Sequence, residues 1–168
     1  LLGTQQVIQW VPKPSLPELV ARRKDFLTGY QNTAYAERYA QFVEMVRLAE
    51  SQVAPHNQQL TEAVARYLFK LMAYKDEYEV ARLHLDASFQ NKIAQMFEGD
   101  FKLIHHLAPP STAGKDAQGH WLKKAYSPSI RTAFKWLTHF KWLRGTMLDP
   151  FGRTEERKTE RALIAEYC

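Results

Sequence analysis

The stretch 60–86, LTEAVARYLFKLMAYKDEYEVARLHLD, holds neither Gly nor Pro. Nothing in it obliges a helix to stop, so one helix is expected across the whole of it. Its first half is apolar on nearly every side, through Val64, Tyr67, Leu68, Phe69, Leu71, Met72, Ala73 and Tyr74. That is the pattern of a helix buried on several faces. Its second half sets Lys75, Asp76, Glu77, Glu79 and Arg82 among Tyr78, Val80, Leu83 and Leu85. There the helix is expected to emerge toward solvent or a partner.

The remaining elements are arranged around this one. VIQW at 7–10 reads as a short extended piece, and Pro12 and Pro14 enforce an irregular linker, so 1–14 is an irregular N-terminal segment. Ser15, Pro17 and Glu18 open a helix with Leu16, Leu19, Val20, Phe26 and Leu27 on one side, and Gly29 suits its end. Asn32 or Thr33 caps the next, which runs to about Val53 with Tyr35, Tyr39, Phe42, Val43, Val46 and Ala49 inward and Glu37, Glu44 and Glu50 outward. Asp86 or Ser88 caps a shorter helix with Phe89, Ile93, Met96 and Phe97 inward, ended by Gly99. Residues 101–107 and 120–126 read as two strands of a small hairpin, with a loop over 111–119. Pro128 introduces a helix stopped by Gly145, and Thr154 begins a last one. The prediction is a mainly α fold, about six packed helices with one small β-hairpin, forming a single domain over 15–168.

Composition narrows the class. Hydrophobic residues at 45% and charged residues at 24% are ordinary for a globular protein. No apolar run reaches the roughly 20 residues of a membrane helix, so no membrane partner is expected. The chain opens on Leu1 without a Met or a basic leader, which suggests a fragment of a longer chain. One cysteine, Cys168, excludes an internal disulfide framework or a Cys-ligated cluster in this segment and suits a reducing, cytoplasmic setting. The net charge of +5 is concentrated: residues 101–144 carry eight basic residues against one acidic, a local net of +7. Such a stretch attracts acidic partners.

Candidate chemistry is sparse. Six histidines raise the question of a metal. His105 and His106, adjacent in a strand, point to opposite faces, and neither HExxH nor a ligand-spaced partner for His84 or His120 occurs. Asp76, Glu77 and Glu79 suggest an acid/base pair, yet successive helix positions diverge by about 100°. A solvated or interface face, with Lys75–Glu79 and Glu79–Arg82 pairs, is the favoured reading. The basic quarter interleaves Trp121, Tyr126, Phe134, Trp136, Phe140 and Trp142, a pattern open to nucleic-acid binding or, more simply, to an amphipathic core. Neither a GxGxxG nor a GxxxxGK[ST] loop is present.

Four stretches together carry a resemblance: 60–86, quoted above; YAERYAQFVEMVRLAE at 35–50; FEGDFKLIHHLAPP at 97–110; and LRGTMLDPFGRTEERKTERALIAEY at 143–167. Over most of the chain from Ser15 onward they resemble the C-terminal region of the fused bacterial indolepyruvate ferredoxin oxidoreductases. The resemblance implies a parent enzyme that uses thiamine pyrophosphate to decarboxylate an aryl-pyruvate oxidatively. The acyl group passes to coenzyme A and electrons pass through iron–sulfur chemistry to ferredoxin. It implies that this segment is a non-catalytic accessory domain, with no catalytic, cofactor-binding or metal residue of its own. Its partners would be the remaining domains of its own polypeptide, a second copy, ferredoxin or coenzyme A. Candidate interface positions are Lys75, Asp76, Glu77, Lys123, Lys124, Asp149, Phe151 and Arg153. The alternative is a basic module that binds nucleic acid or an acidic protein.

Overall fold

The computed structural model describes residues 12–108, 114, 116–120 and 122–168. The extended piece expected at 7–10, much of the loop over 111–119, and Trp121 lie outside the described residues. The chain is mainly α: α1 (Leu16–Tyr30), α2 (Thr33–Val53), α3 (Gln59–Met72), α4 (Glu77–Leu85), α5 (Ala87–Met96), β1 (His105–Leu107), β2 (Lys124–Tyr126), α6 (Ile130–His139) and α7 (Glu155–Tyr167). A 3-10 turn, Phe140–Leu143, follows α6. The strands pair antiparallel with His105 opposite Tyr126 and Leu107 opposite Lys124. Among the described residues no helix is long and apolar enough to cross a membrane.

Local signals account for most helix starts. Glu18 accepts bonds from Ser15 N at 2.8 Å and Ser15 Oγ at 2.7 Å, closing the turn into α1. Asn32 accepts from Tyr35 N, Asp76 from Glu79 N, Asp86 from Ser88 N and Phe89 N, and Thr154 from Arg157 N. Each satisfies a donor that the first helical turn leaves unpaired. The start of α3 is served from a distance. Glu50, expected on the outer face of α2, turns inward and accepts from Leu60 N and Thr61 N, both at 2.9 Å, and from the Thr61 hydroxyl.

The main core gathers Leu19, Leu27 and Tyr30 of α1, Ala36, Tyr39 and Val43 of α2, Val64, Ala65, Leu68 and Met72 of α3, and Ile164 of α7. Four corrections follow from this packing. The helix expected over 60–86 is two helices. α3 is buried along one stripe, 61, 64, 65, 68 and 72, rather than all round, and Tyr67 is exposed. α5 buries no side chain, so Met96 and Phe97, expected inward, are exposed. The helix after Pro128 ends at His139 and tightens to the 3-10 turn instead of running on to Gly145. Among the described residues the count is therefore seven α-helices.

Tertiary bonds explain the break between α3 and α4. The Tyr35 hydroxyl donates to the Met72 carbonyl at 3.0 Å, and the Tyr30 hydroxyl to the Tyr74 carbonyl at 3.2 Å. Arg157 Nη2 donates to the Lys75 carbonyl at 3.0 Å. Carbonyls that a continuous helix would bond to itself are thus taken by side chains from α1, α2 and α7, and Asp76 restarts the chain as a cap. Tyr30→Phe and Tyr35→Phe should each destabilise the fold by about 1 kcal/mol, the usual net worth of one hydrogen bond. Urea midpoints at unchanged slope measure this; no change in either would mean that the break does not need these donors.

Candidate functional site

The polar residues of the 75–79 and 143–153 stretches form one network. Arg144 is buried. It grips Asp76 through Nε and through Nη2, the latter at 2.9 Å, and gives Nη1 to the Tyr30 carbonyl. Its guanidinium lies 3.7 Å from the centre of the Tyr30 ring and 5.4 Å from that of Tyr78. Asp149, also buried, accepts from Tyr78 Oη at 3.2 Å, Phe151 N at 3.1 Å and Gly145 N at 2.9 Å. Burial, and then the Asp149 charge, push the Tyr78 phenol well above its ordinary pKa, so it stays a donor. Two glycines make this loop possible. Gly145 has φ +75°, and a Cβ on Gly152 would stand 2.5 Å from Asp149 Oδ2.

These positions correct the expected solvated face. Asp76 and Asp149 are buried within the chain and spend their oxygens on it. Glu79 is also buried, held by Arg82 at 2.7 and 2.8 Å. Glu77 is half-buried with Oε2 unpartnered, and burial, opposed by Arg157, raises its carboxyl above the usual range. Phe151 lies edge-on to Tyr78 at 5.3 Å. Lys75, Lys123, Lys124 and Arg153 are exposed. The eight positions therefore divide into an internal latch and scattered surface cations, and they do not form one interface patch. The reason lies in α4: it packs on α6 and α5, so its charged positions face protein.

A second buried cluster joins α4, β1 and α6. The His84 and His105 rings meet edge-to-face at 4.8 Å, His84 stacks on Phe134 at 5.3 Å, and Phe89 closes the side. His105 is buried and His106 exposed, the alternation expected of a strand. His84 Nδ1 and His105 Nε2 have no hydrogen-bond partner. No group of three or more His, Cys, Asp or Glu among the described residues could hold a metal ion.

The aromatics of the basic quarter, which the sequence leaves open between nucleic-acid binding and an amphipathic core, are divided by the fold. α6 and the turn after it expose Trp136 at 65%, Trp142 at 58% and Phe140, and Met147 and Leu148 follow, also exposed. Trp136 and Phe140, one helical turn apart, stack at 6.4 Å. Lys135 and His139 are exposed on the same helix. Much of the surrounding charge is used internally: Arg131 donates to Gln90 at 2.6 Å, Lys141 to the Gly29 carbonyl at 2.7 Å, and Arg144 to Asp76. The signal available in the sequence was that the aromatics outnumber what one inward stripe of a short helix can bury.

Two outcomes are expected from the buried groups. Asp76→Asn keeps a good helix cap but removes the charge facing Arg144. It should cost about 3–5 kcal/mol in urea denaturation, the usual result of leaving one buried charge unpaired; a cost near zero would show that Arg144 finds another counter-charge. For the histidines, burial first, and then His105 beside His84 and Arg131 beside His105, lower both pKa values below 6.5. The unfolded chain then binds more protons than the fold below that value. Stability is complete above about pH 6.5 and is lost as pH falls toward the folded values. Midpoints measured from pH 7 to 5.5 should fall, and His105→Phe should flatten the profile.

No match was found among curated proteins or among solved structures. A protein-family model matches residues 16–168, nearly all of the described chain and all of its packed elements. The chain thus belongs to DUF6537, a family of unknown function.

Proposed function

We propose that this chain is a non-catalytic accessory domain that packs on other domains of its polypeptide through the face of α6 and the turn that follows it. The observation that carries the reading is the exposure of Trp136, Phe140, Trp142, Met147 and Leu148 along one short stretch. Large aromatic side chains left in water are characteristic of interfaces, where Trp above all supplies binding energy. α5, which buries no side chain and exposes Met96 beside Phe97, adds a second uncovered element.

The enzyme in question is, in this reading, a thiamine pyrophosphate-dependent 2-oxoacid:ferredoxin oxidoreductase acting on aryl-pyruvates. That part rests on the resemblance of the four stretches named above, and a cytoplasmic setting goes with it. A second reading is a docking face for an acidic protein. It is favoured by the run from 117 to 148, which contains no Asp or Glu. Nucleic acid fits less well. Arg131, Lys141 and Arg144 are spent within the fold, and Met147 and Leu148 offer no stacking surface for bases.

The test is made on the parent polypeptide, assayed for indolepyruvate-dependent reduction of a viologen dye and of ferredoxin, with thiamine pyrophosphate and coenzyme A supplied. Removing the stretch equivalent to 15–168, or making Trp136→Ala with Trp142→Ala, should abolish or strongly reduce turnover if the domain orders the catalytic domains. Normal dye reduction with failed ferredoxin reduction would instead assign the face to an acidic electron carrier, with affinity falling as salt rises. Full activity with both acceptors would overturn the accessory-domain reading.

A further inference from the structure

We propose that the depression between the 145–153 loop and the first two turns of α7 binds a small multivalent oxyanion, a phosphate or pyrophosphate group. The cavity measures about 460 Å³. Its wall includes Arg153, Lys158 and Arg161 and, among the described residues, no carboxylate. Gly145, Thr146 and Gly152 bring the loop backbone to its edge. Three cations on one concave surface match the chemistry of a phosphoryl group.

Arg161 is held against the loop. Its Nη2 donates to the Gly152 carbonyl at 2.7 Å, which orients the guanidinium plane. Its Nη1 is buried without any acceptor. That nitrogen lies 3.1 Å from the point a Gly152 Cβ would occupy, and Asp149 Oδ2 lies 2.5 Å from the same point, so it sits beneath the loop on the Asp149 side. Arg161 therefore acts on an anion in the depression through its charge, and Arg153 and Lys158 supply the donors that reach it. Lys158 pairs with Glu155 at 2.7 Å, but both groups are largely in water, and such pairs exchange partners at little cost. The opposing charges are Glu155 and Glu156 at the start of α7 and Asp149 below the loop. The Asp149 oxygens are already engaged by Tyr78, Phe151 and Gly145. The site shares Met147 with the apolar face that follows α6, but Arg153, Lys158 and Arg161 lie outside that face, so its fate does not decide the accessory-domain reading.

Inorganic pyrophosphate and ADP, each titrated into the full chain at fixed ionic strength and followed by amide NMR shifts, distinguish a free anion from the terminal phosphates of an organic ligand. Saturable shifts at Gly145, Thr146 and Gly152 are expected with pyrophosphate. Tighter binding of ADP would assign the site to an organic phosphate, and weaker binding to the free anion. Arg153→Gln and Lys158→Gln change exposed side chains that the fold does not need, and each should lower affinity about tenfold, as for one charge-assisted hydrogen bond. No saturable shift with either probe, or equal affinity in both variants and the unaltered chain, would overturn the proposal.

Discussion

The arrangement of this molecule turns on the buried pair of Arg144 and Asp76. Asp76 caps α4, Arg144 binds the last carbonyl of α1 at Tyr30, and the two meet between them. One guanidinium thus joins the end of α1, the break between α3 and α4, and the loop that leads to α7. Ion pairs of this kind add little net stability over an apolar packing of the same shape, because both charges must leave water. What the pair does supply is geometry. A bidentate guanidinium donates to its carboxylate in one plane, and the Tyr30 and Tyr78 rings lie beside it, with centres 3.7 and 5.4 Å away.

Around this latch the molecule has two unequal packing centres. α1, α2 and α3, closed by α7, bury a continuous apolar cluster with Tyr30 and Tyr39 at its middle. α4, α5, α6 and the hairpin bury far less: Tyr78, Glu79, Ala81, Phe134 and His105. The second centre lets aromatic side chains remain outside. An isolated domain gains nothing by exposing two tryptophans, whereas a domain whose neighbours cover them gains an interface.

The charge distribution reads differently in sequence and in structure. A local net of +7 over 101–144 suggests a basic surface. Folding withdraws part of it, because Arg131, Lys141 and Arg144 each reach across to another element. The cations that converge on a cavity, Arg153, Lys158 and Arg161, come instead from a stretch with slightly more acidic than basic residues. Net charge counts residues along the chain, while a binding surface depends on which of them find partners inside the fold.

By itself the sequence determined the helical class, the hairpin between the fourth and fifth predicted helices, and most helix starts. Those features are local: Ser15 with Glu18, Asn32, Asp86 and Thr154 act on donors within a few residues, and 3-4 spacing reports which stripe turns inward. Only the tertiary structure decided that 60–86 breaks at 73–76. No residue there is a breaker, and the carbonyls are claimed by Tyr30, Tyr35 and Arg157, which lie far away along the chain. Tertiary structure also decided that Asp76, Glu79 and Asp149 face inward and that Trp136 and Trp142 face out. A charged residue in a helical pattern reads as solvated unless its counter-charge is known, and the partner of Asp76 lies 68 positions later. Burial of a polar group depends on the partner the fold brings to it, and no periodicity along the chain carries that information.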